Sequence, residues 1–311
     1  AWFDGMAQLG SERIRVLDCP QQENLAAVRN LAVSQARGDY VLLLNPYAVI
    51  TNGEWLAEML NHAQRPEVGV VGAKLFNPDG RIVHSGLILG LQGPAGVPFF
   101  GESLQATGYM YRLLAAHDLS AVGSDCLLVR KSVFEAVGGL DEQDLSQSLN
   151  EVDLCLRVGQ QGYLVVWTPY AQLALGAQPA GTPKEGEEAR LGKEQETFYK
   201  RWLPIVARDP AYNKNLSLSG LGGSSFSLDP GLRTGWTPFS QPQLPKILAL
   251  PVNASAIGHY RVTQPLIELE AAGRALGRIH YNLPTIIEVE RQSPDVIILQ
   301  GRYAEAPINE I

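Results

Sequence analysis

The stretch N-L-A-A-V-R-N-L-A-V-S-Q-A-R-G-D-Y-V-L-L-L-N, residues 24–45, sets the architecture. Leu25, Val28, Ala32 and Ala36 recur at helical spacing, Gly38 breaks the helix, and Tyr40 to Leu44 is an apolar run of strand length. Helix, turn and buried strand therefore follow one another within 22 residues. The unit repeats downstream. Trp55, Met59 and Leu60 give Glu54 to Ala63 a helical period, and Pro66 precedes a second buried strand, Val68 to Phe76. Alternation of this kind predicts an α/β protein built on a sheet flanked by helices.

Working outward, Asn77-Pro78-Asp79-Gly80 is a turn sequence, and Ile82 to Leu91 reads as the returning strand of a hairpin. Residues 93–108 are rich in Gly and Pro and lack periodicity, which predicts a long loop. A short strand begins at Leu127. A helix capped by Ser132 with Glu135, another capped by Asn150 and ending near Gly162, and a strand from Tyr163 to Trp167 follow. Glu185 to Trp202 reads as a charged helix with a solvated face.

From Asn215 to Pro245 the chain is dominated by Ser, Gly and Pro, the composition of a linker. Strand, helix and strand then recur at Lys246 to Pro251, Thr263 to Ala272 and Val296 to Gln300. The expected domains are thus 1–205, a linker over 206–245, and the beginning of a second α/β domain over 246–311. The lack of an initial Met and the strand-like run near Ile311 suggest a fragment.

Composition narrows the function classes. A net charge of -7 and a pI near 5.3 argue against nucleic acid as partner. Cys19, Cys126 and Cys155 are scattered, which suggests neither a disulfide framework nor a zinc site and fits a reducing cytoplasm. No apolar run has the length of a transmembrane helix.

Five ordered blocks, residues 24–32, 38–45, 120–131, 134–142 and 150–157, resemble family 2 glycosyltransferases, and the similarity continues through 162–171 and 208–218. The resemblance implies a GT-A fold, Rossmann-like and mixed, whose first strand is expected before Ala1. It also implies inverting transfer from a UDP-, GDP- or dTDP-linked sugar to a glycan or lipid-linked glycan acceptor. Such chemistry belongs to bacterial surface polysaccharide synthesis of the O-antigen type, in the cytoplasm or at the inner face of its membrane. G-H-Y-R, 258–261, faintly resembles the start of a GT-B domain.

Site residues follow from the same resemblance. An inverting transferase needs a carboxylate to take a proton from the attacking hydroxyl. Glu151 matches the base position, and Asp153 is the second candidate. Two residues apart on a helix, they lie about 200° around its axis, so only one can be the base. Arg29, Asn45, Ser124 and Asp125 fall at donor-side positions of the resemblance, with Asp125 departing from the small residue expected there, and His84 falls at an acceptor-side position.

The family uses Mg2+ or Mn2+ against the diphosphate, but Tyr47 stands where the metal-binding Asp belongs and Leu175 where a His belongs. Its metal ligands are therefore replaced, with Lys74, Arg112 and Arg130 as candidate substitute cations. The alternative reading is a catalytically inactive GT-A domain that binds glycan or acts as a scaffold.

Overall fold

The computed structural model describes residues 15–17, 19, 24–176, 186–218, 226–229 and 244–301. The chain divides into two compact units, one formed by Ala1–Leu87 and Val97–Lys200, the other by Ile88–Gly96 and Arg201–Ile311.

In the first unit, α1 (Leu25–Gln35) leads into β1 (Tyr40–Leu44), β2 (Ala48–Ile50), α2 (Trp55–Ala63), β3 (Val68–Phe76) and β4 (Ile82–His84). The second unit's hairpin β5 (Ile88–Leu89) and β6 (Ala95–Gly96) intervenes. Then come β7 (His117–Leu119), β8 (Cys126–Arg130), α3 (Lys131–Ala136), α4 (Asn150–Gln160), β9 (Leu164–Leu175) and α5 (Glu187–Ala207). Residues of α5 up to Lys200 belong to this unit.

These strands form a mixed seven-stranded sheet in the order β1-β8-β3-β9-β2, with β4 on β3 and β7 on β9. The predicted α/β class with flanking helices is the observed one. Central β3 runs parallel to β9 and antiparallel to β8. Its run Val68 to Leu75 is buried throughout, as a strand covered on both faces requires. Among the described residues β1 is terminal in the sheet, and Leu44 is 41% exposed. Trp55 and Met59 of α2 pack onto Val71, Ala73, Leu75, Val166 and Leu173.

Several local expectations are revised. The strand expected from Ile82 to Leu91 ends at His84, because Gly86 takes φ +83 and a Cβ there would meet Leu119 Cδ1 at 2.0 Å. The backbone leaves the sheet at a point only glycine tolerates. α3 begins at Lys131 without a side-chain cap, so Ser132 and Glu135 form no capping box. α4 is entered through Leu149 in the left-handed conformation, and Asn150 is its first helical residue rather than its cap. β9 extends eight residues beyond Trp167 to Leu175. The helix expected from Glu185 starts at Glu187; residue 185 lies outside the described residues.

In the second unit, β10 (Lys246–Leu250) lies between β11 (Leu276–Ile279) and β12 (Val296–Leu299), all parallel. Two helices connect them, α6 (Gln264–Ala271) and α7 (Ile286–Gln292), the latter with a capping box of Thr285 and Glu288. The G-H-Y-R segment lies in the helical turns that precede α6. Of the stretch read as a linker, Val206, Ala207, Asp209, Tyr212, Leu216 and Ser217 are buried, and residues 219–225 and 230–243 lie outside the described residues. Among the described residues no helix is long and apolar enough to cross a membrane.

Candidate active site

The site forms where β1 ends. Asn45 follows Leu44, and its backbone N–H donates to the Asp125 carbonyl at 2.9 Å while its side-chain Nδ2 donates to Asp125 Oδ1 at 2.7 Å. Asn45 Oδ1 in turn accepts from the Tyr47 N–H at 2.9 Å. The end of one strand and the start of its neighbour, β8, are thereby locked together. Opposite β1–β8 pairing, from Tyr40↔Arg130 to Leu44↔Cys126, makes this junction a direct result of register.

Two helices bring the remaining groups. Asn24 caps α1 by accepting from the Ala27 N–H at 2.9 Å, which fixes the helix that carries Arg29. Arg29 Nη1 donates to Asn150 Oδ1 at 3.3 Å, at the start of α4. Asn150 is fully buried, and its Nδ2 has no hydrogen-bond partner among the described residues.

The next residue, Glu151, is partly buried, and desolvation pushes its carboxyl above the ordinary value. Its own backbone N–H and Arg29 oppose the shift, and Asp125 adds to it. Burial likewise pulls the Arg29 guanidinium down, against the attraction of Glu151 and Asp125. Arg29, Asn45, Asp125 and Glu151 are therefore one electrostatically coupled group. One cation sits among two carboxylates, with an amide holding one of them. Ser124 adjoins this group in sequence and is partly buried.

Asp153 points elsewhere. It is buried and paired with Arg157 Nε at 2.8 Å, and Arg157 also donates to the Val137 and Gly139 carbonyls. The helical offset separates the two carboxylates by role. Glu151 faces the site, while Asp153 anchors α4 to the turn after α3.

His84 is 7% exposed, and its Nε2 accepts from the Gly123 N–H at 2.9 Å. A Cβ at Gly123 would meet Nε2 at 2.4 Å, so the ring and the loop backbone are in close contact. Burial lowers its pKa to about 4. The ring is thus neutral at pH 7 and shapes the loop that carries Ser124 and Asp125. The acceptor-side candidate thus has a buried, hydrogen-bonded place in the fold.

The side chains at positions 47 and 175 do not fit a divalent cation. Ala48 pairs with Leu175, and the Gly176 N–H donates to the Tyr47 carbonyl at 2.9 Å, so these positions are adjacent but offer a phenol and aliphatic groups. Among the described residues no group of three or more His, Cys, Asp or Glu is placed to hold a metal.

The suggested substitute cations are engaged elsewhere. Lys74 is buried and donates to the Leu104 carbonyl, Arg130 donates to the Ala63 and Arg65 carbonyls at the C-terminal end of α2, and Arg112 lies near His117. Among the described residues, Arg29 is the cation that acts on Glu151. Glu194, which the sequence pattern assigned to a solvated face, is only 3% exposed and binds the loop before α4. Its burial leaves no periodic signal in so charged a helix.

Residues 2–138 match the family model described as Glycosyl transferase family 2. The chain is 41% identical over 221 residues to Uncharacterized protein y4gI of Sinorhizobium fredii, a match covering 70% of this chain and 24% of that protein. It is 35% identical over 198 residues to the O-antigen biosynthesis protein RfbC of Myxococcus xanthus, covering 63% and 15% respectively. A third relative, the N-acetylglucosaminyl-diphospho-decaprenol L-rhamnosyltransferase of Mycobacterium tuberculosis, is 32% identical over 143 residues, covering 43% of this chain and 46% of that protein. The chain spans about a quarter or less of the first two relatives.

Proposed function

We propose that this chain, a family 2 glycosyltransferase over residues 2–138, transfers a sugar from a nucleoside diphosphate sugar to a hydroxyl of a glycan acceptor, in surface polysaccharide synthesis. The observation that carries the reading is the convergence of Glu151, Arg29, Asp125 and Asn45 at the end of β1.

Glu151 is the base. Its pKa, raised by desolvation, makes it a stronger proton acceptor than an ordinary carboxylate. In the proposed step the acceptor oxygen forms a bond to the anomeric carbon as its proton passes to Glu151. The bond from that carbon to the diphosphate oxygen breaks, and the nucleoside diphosphate departs with the electron pair. Attack from the side opposite the leaving group inverts the centre.

Arg29 supplies positive charge toward the diphosphate. Its partial desolvation strengthens that interaction relative to an exposed arginine. Asn45, held by Asp125, orients the strand end, and Ser124 and Asp125 face the transferred sugar. Asp153 holds the helix that presents Glu151.

A second reading is favoured by the residues at 47 and 175. With a phenol and an alkyl group at positions that in the family hold metal, the domain binds glycan without transferring sugar. Isothermal titration with UDP-, GDP- and dTDP-linked sugars, followed by assay of nucleoside diphosphate release, separates the two. Transfer that drops about 10²-fold or more in Glu151→Gln, with donor binding retained, supports the first reading. Saturable glycan binding with no release by the unaltered chain supports the second.

A further inference from the structure

We propose that Glu194 is a positioning residue for Glu151, acting through the loop 146–149. This inference rests on the assignment of Glu151 as the base. The carboxylate of Glu194, carried by α5 and 3% exposed, accepts four hydrogen bonds from three consecutive residues. The donors are Ser146 Oγ at 2.9 Å, the Gln147 N–H at 3.2 Å, the Ser148 N–H at 2.7 Å and Ser148 Oγ at 2.6 Å. A buried carboxylate is tolerated when donors surround it, and here they come from a loop without regular structure.

What the loop does next connects it to chemistry. Leu149 follows in the left-handed conformation, φ 58 and ψ 3, an unfavourable geometry for a branched side chain. Such a conformation persists only where its surroundings enforce it. The Leu149 carbonyl then accepts from the Asp153 N–H at 2.9 Å and begins α4, two residues before Glu151. On the other flank the Ser146 carbonyl accepts from the Ala26 N–H at 3.1 Å, in the first turn of α1, the helix of Arg29.

One carboxylate therefore fixes the loop that sets both the entry of the base helix and the seat of the arginine helix. Each hydrogen bond constrains a backbone that would otherwise relax toward ordinary φ values. Loss of the clamp lets Leu149 leave the left-handed region, which turns the first residues of α4 and moves the Glu151 carboxylate away from Arg29 and Asp125.

The test uses the full chain and the variants Glu194→Gln and Glu194→Ala. Carboxyl-carbon NMR, with the Glu151 resonance identified by its loss in Glu151→Gln, follows the titration of Glu151 in each. The groups that face it are Arg29, Asp125 and Cys155. The expected result is a Glu151 midpoint that moves toward the ordinary carboxylate value in Glu194→Ala and less so in Glu194→Gln, which keeps one oxygen acceptor.

In the transfer assay, the same displacement lowers kcat by about 10²-fold, a larger change than in donor affinity. Should Glu194→Ala fail to fold, Ser148→Ala removes one hydroxyl donor and makes the same comparison. An unchanged Glu151 midpoint in folded Glu194→Gln and in the second variant overturns the proposal. Absence of transfer by the unaltered chain sinks the catalytic reading instead, and the titration still decides whether Glu194 positions Glu151.

Discussion

The carbonyl oxygen of Tyr47 accepts a hydrogen bond from the N–H of Gly176 at 2.9 Å, and a Cβ built on Gly176 would lie 4.0 Å from the Tyr47 Cβ. Two positions separated by 129 residues in sequence are thus side by side at the strand ends of β2 and β9. Residue 175 pairs with Ala48, so the position directly opposite Tyr47 is Gly176.

A metal-binding prediction follows from this register. Tyr47→Asp combined with Gly176→His should gain affinity for Mn2+, read by calorimetric titration, because a carboxylate and an imidazole then share one face. Tyr47→Asp combined with Leu175→His should gain less, since neighbouring residues on a strand project to opposite faces. Equal affinities in the two variants would refute the register argument.

Glu151 should trade stability for function. Its folded-state pKa lies above the ordinary carboxylate value, so its contribution to stability is complete below that value and is lost as pH rises through the folded pKa. Glu151→Gln is therefore expected to be more stable than the unaltered chain at pH 7 to 8, with the gap closing as pH falls toward about 4. Denaturant midpoints across that range give the measurement. With Glu151 in its proposed role as base, the transfer rate should fall with pH as its carboxylate takes up a proton.

His84 predicts acid sensitivity of the opposite sign. With its pKa lowered from 6.5 to about 4 by burial, the neutral ring's contribution is fully present above pH 6.5 and is lost as pH falls to about 4. The difference amounts to about 3 kcal/mol. Replacement His84→Gln should flatten stability over this range. His84→Phe leaves the Gly123 N–H without its acceptor and should cost about 1–3 kcal/mol at pH 7. Equilibrium unfolding at several pH values tests both.

Arg157→Ala should cost about 3–5 kcal/mol, because it leaves the buried Asp153 carboxylate without its charged partner. Replacing both, as Asp153→Asn with Arg157→Leu, should recover part of that loss. A double variant no more stable than Arg157→Ala in urea unfolding would contradict the role given to this pair.

Met59→Ala is expected to destabilise the first unit by about 2–5 kcal/mol, since Met59 is fully buried between α2 and the sheet. Thermal unfolding is sufficient to measure it. A cost below about 1 kcal/mol would mean that the core around Trp55 collapses to fill the space.

Much of this protein was determined by sequence alone. The 3.6-residue period of residues 24–36, the breaker Gly38 and the continuous apolar run of Val68 to Leu75 specify helices and buried strands through local spacing. Glu151, Arg29 and Asn45 were legible through motif order, which a linear chain preserves. The tertiary structure decided the rest. Which carboxylate of α4 meets Arg29, why His84 lies beneath the Gly123 loop, and why Gly176 faces Tyr47 depend on sheet register. The burial of Glu194 depends on contacts with residues nearly 50 positions away. Periodicity encodes which side of an element is apolar. It carries no information about which partner's hydrogen-bonding groups will meet a single charged side chain.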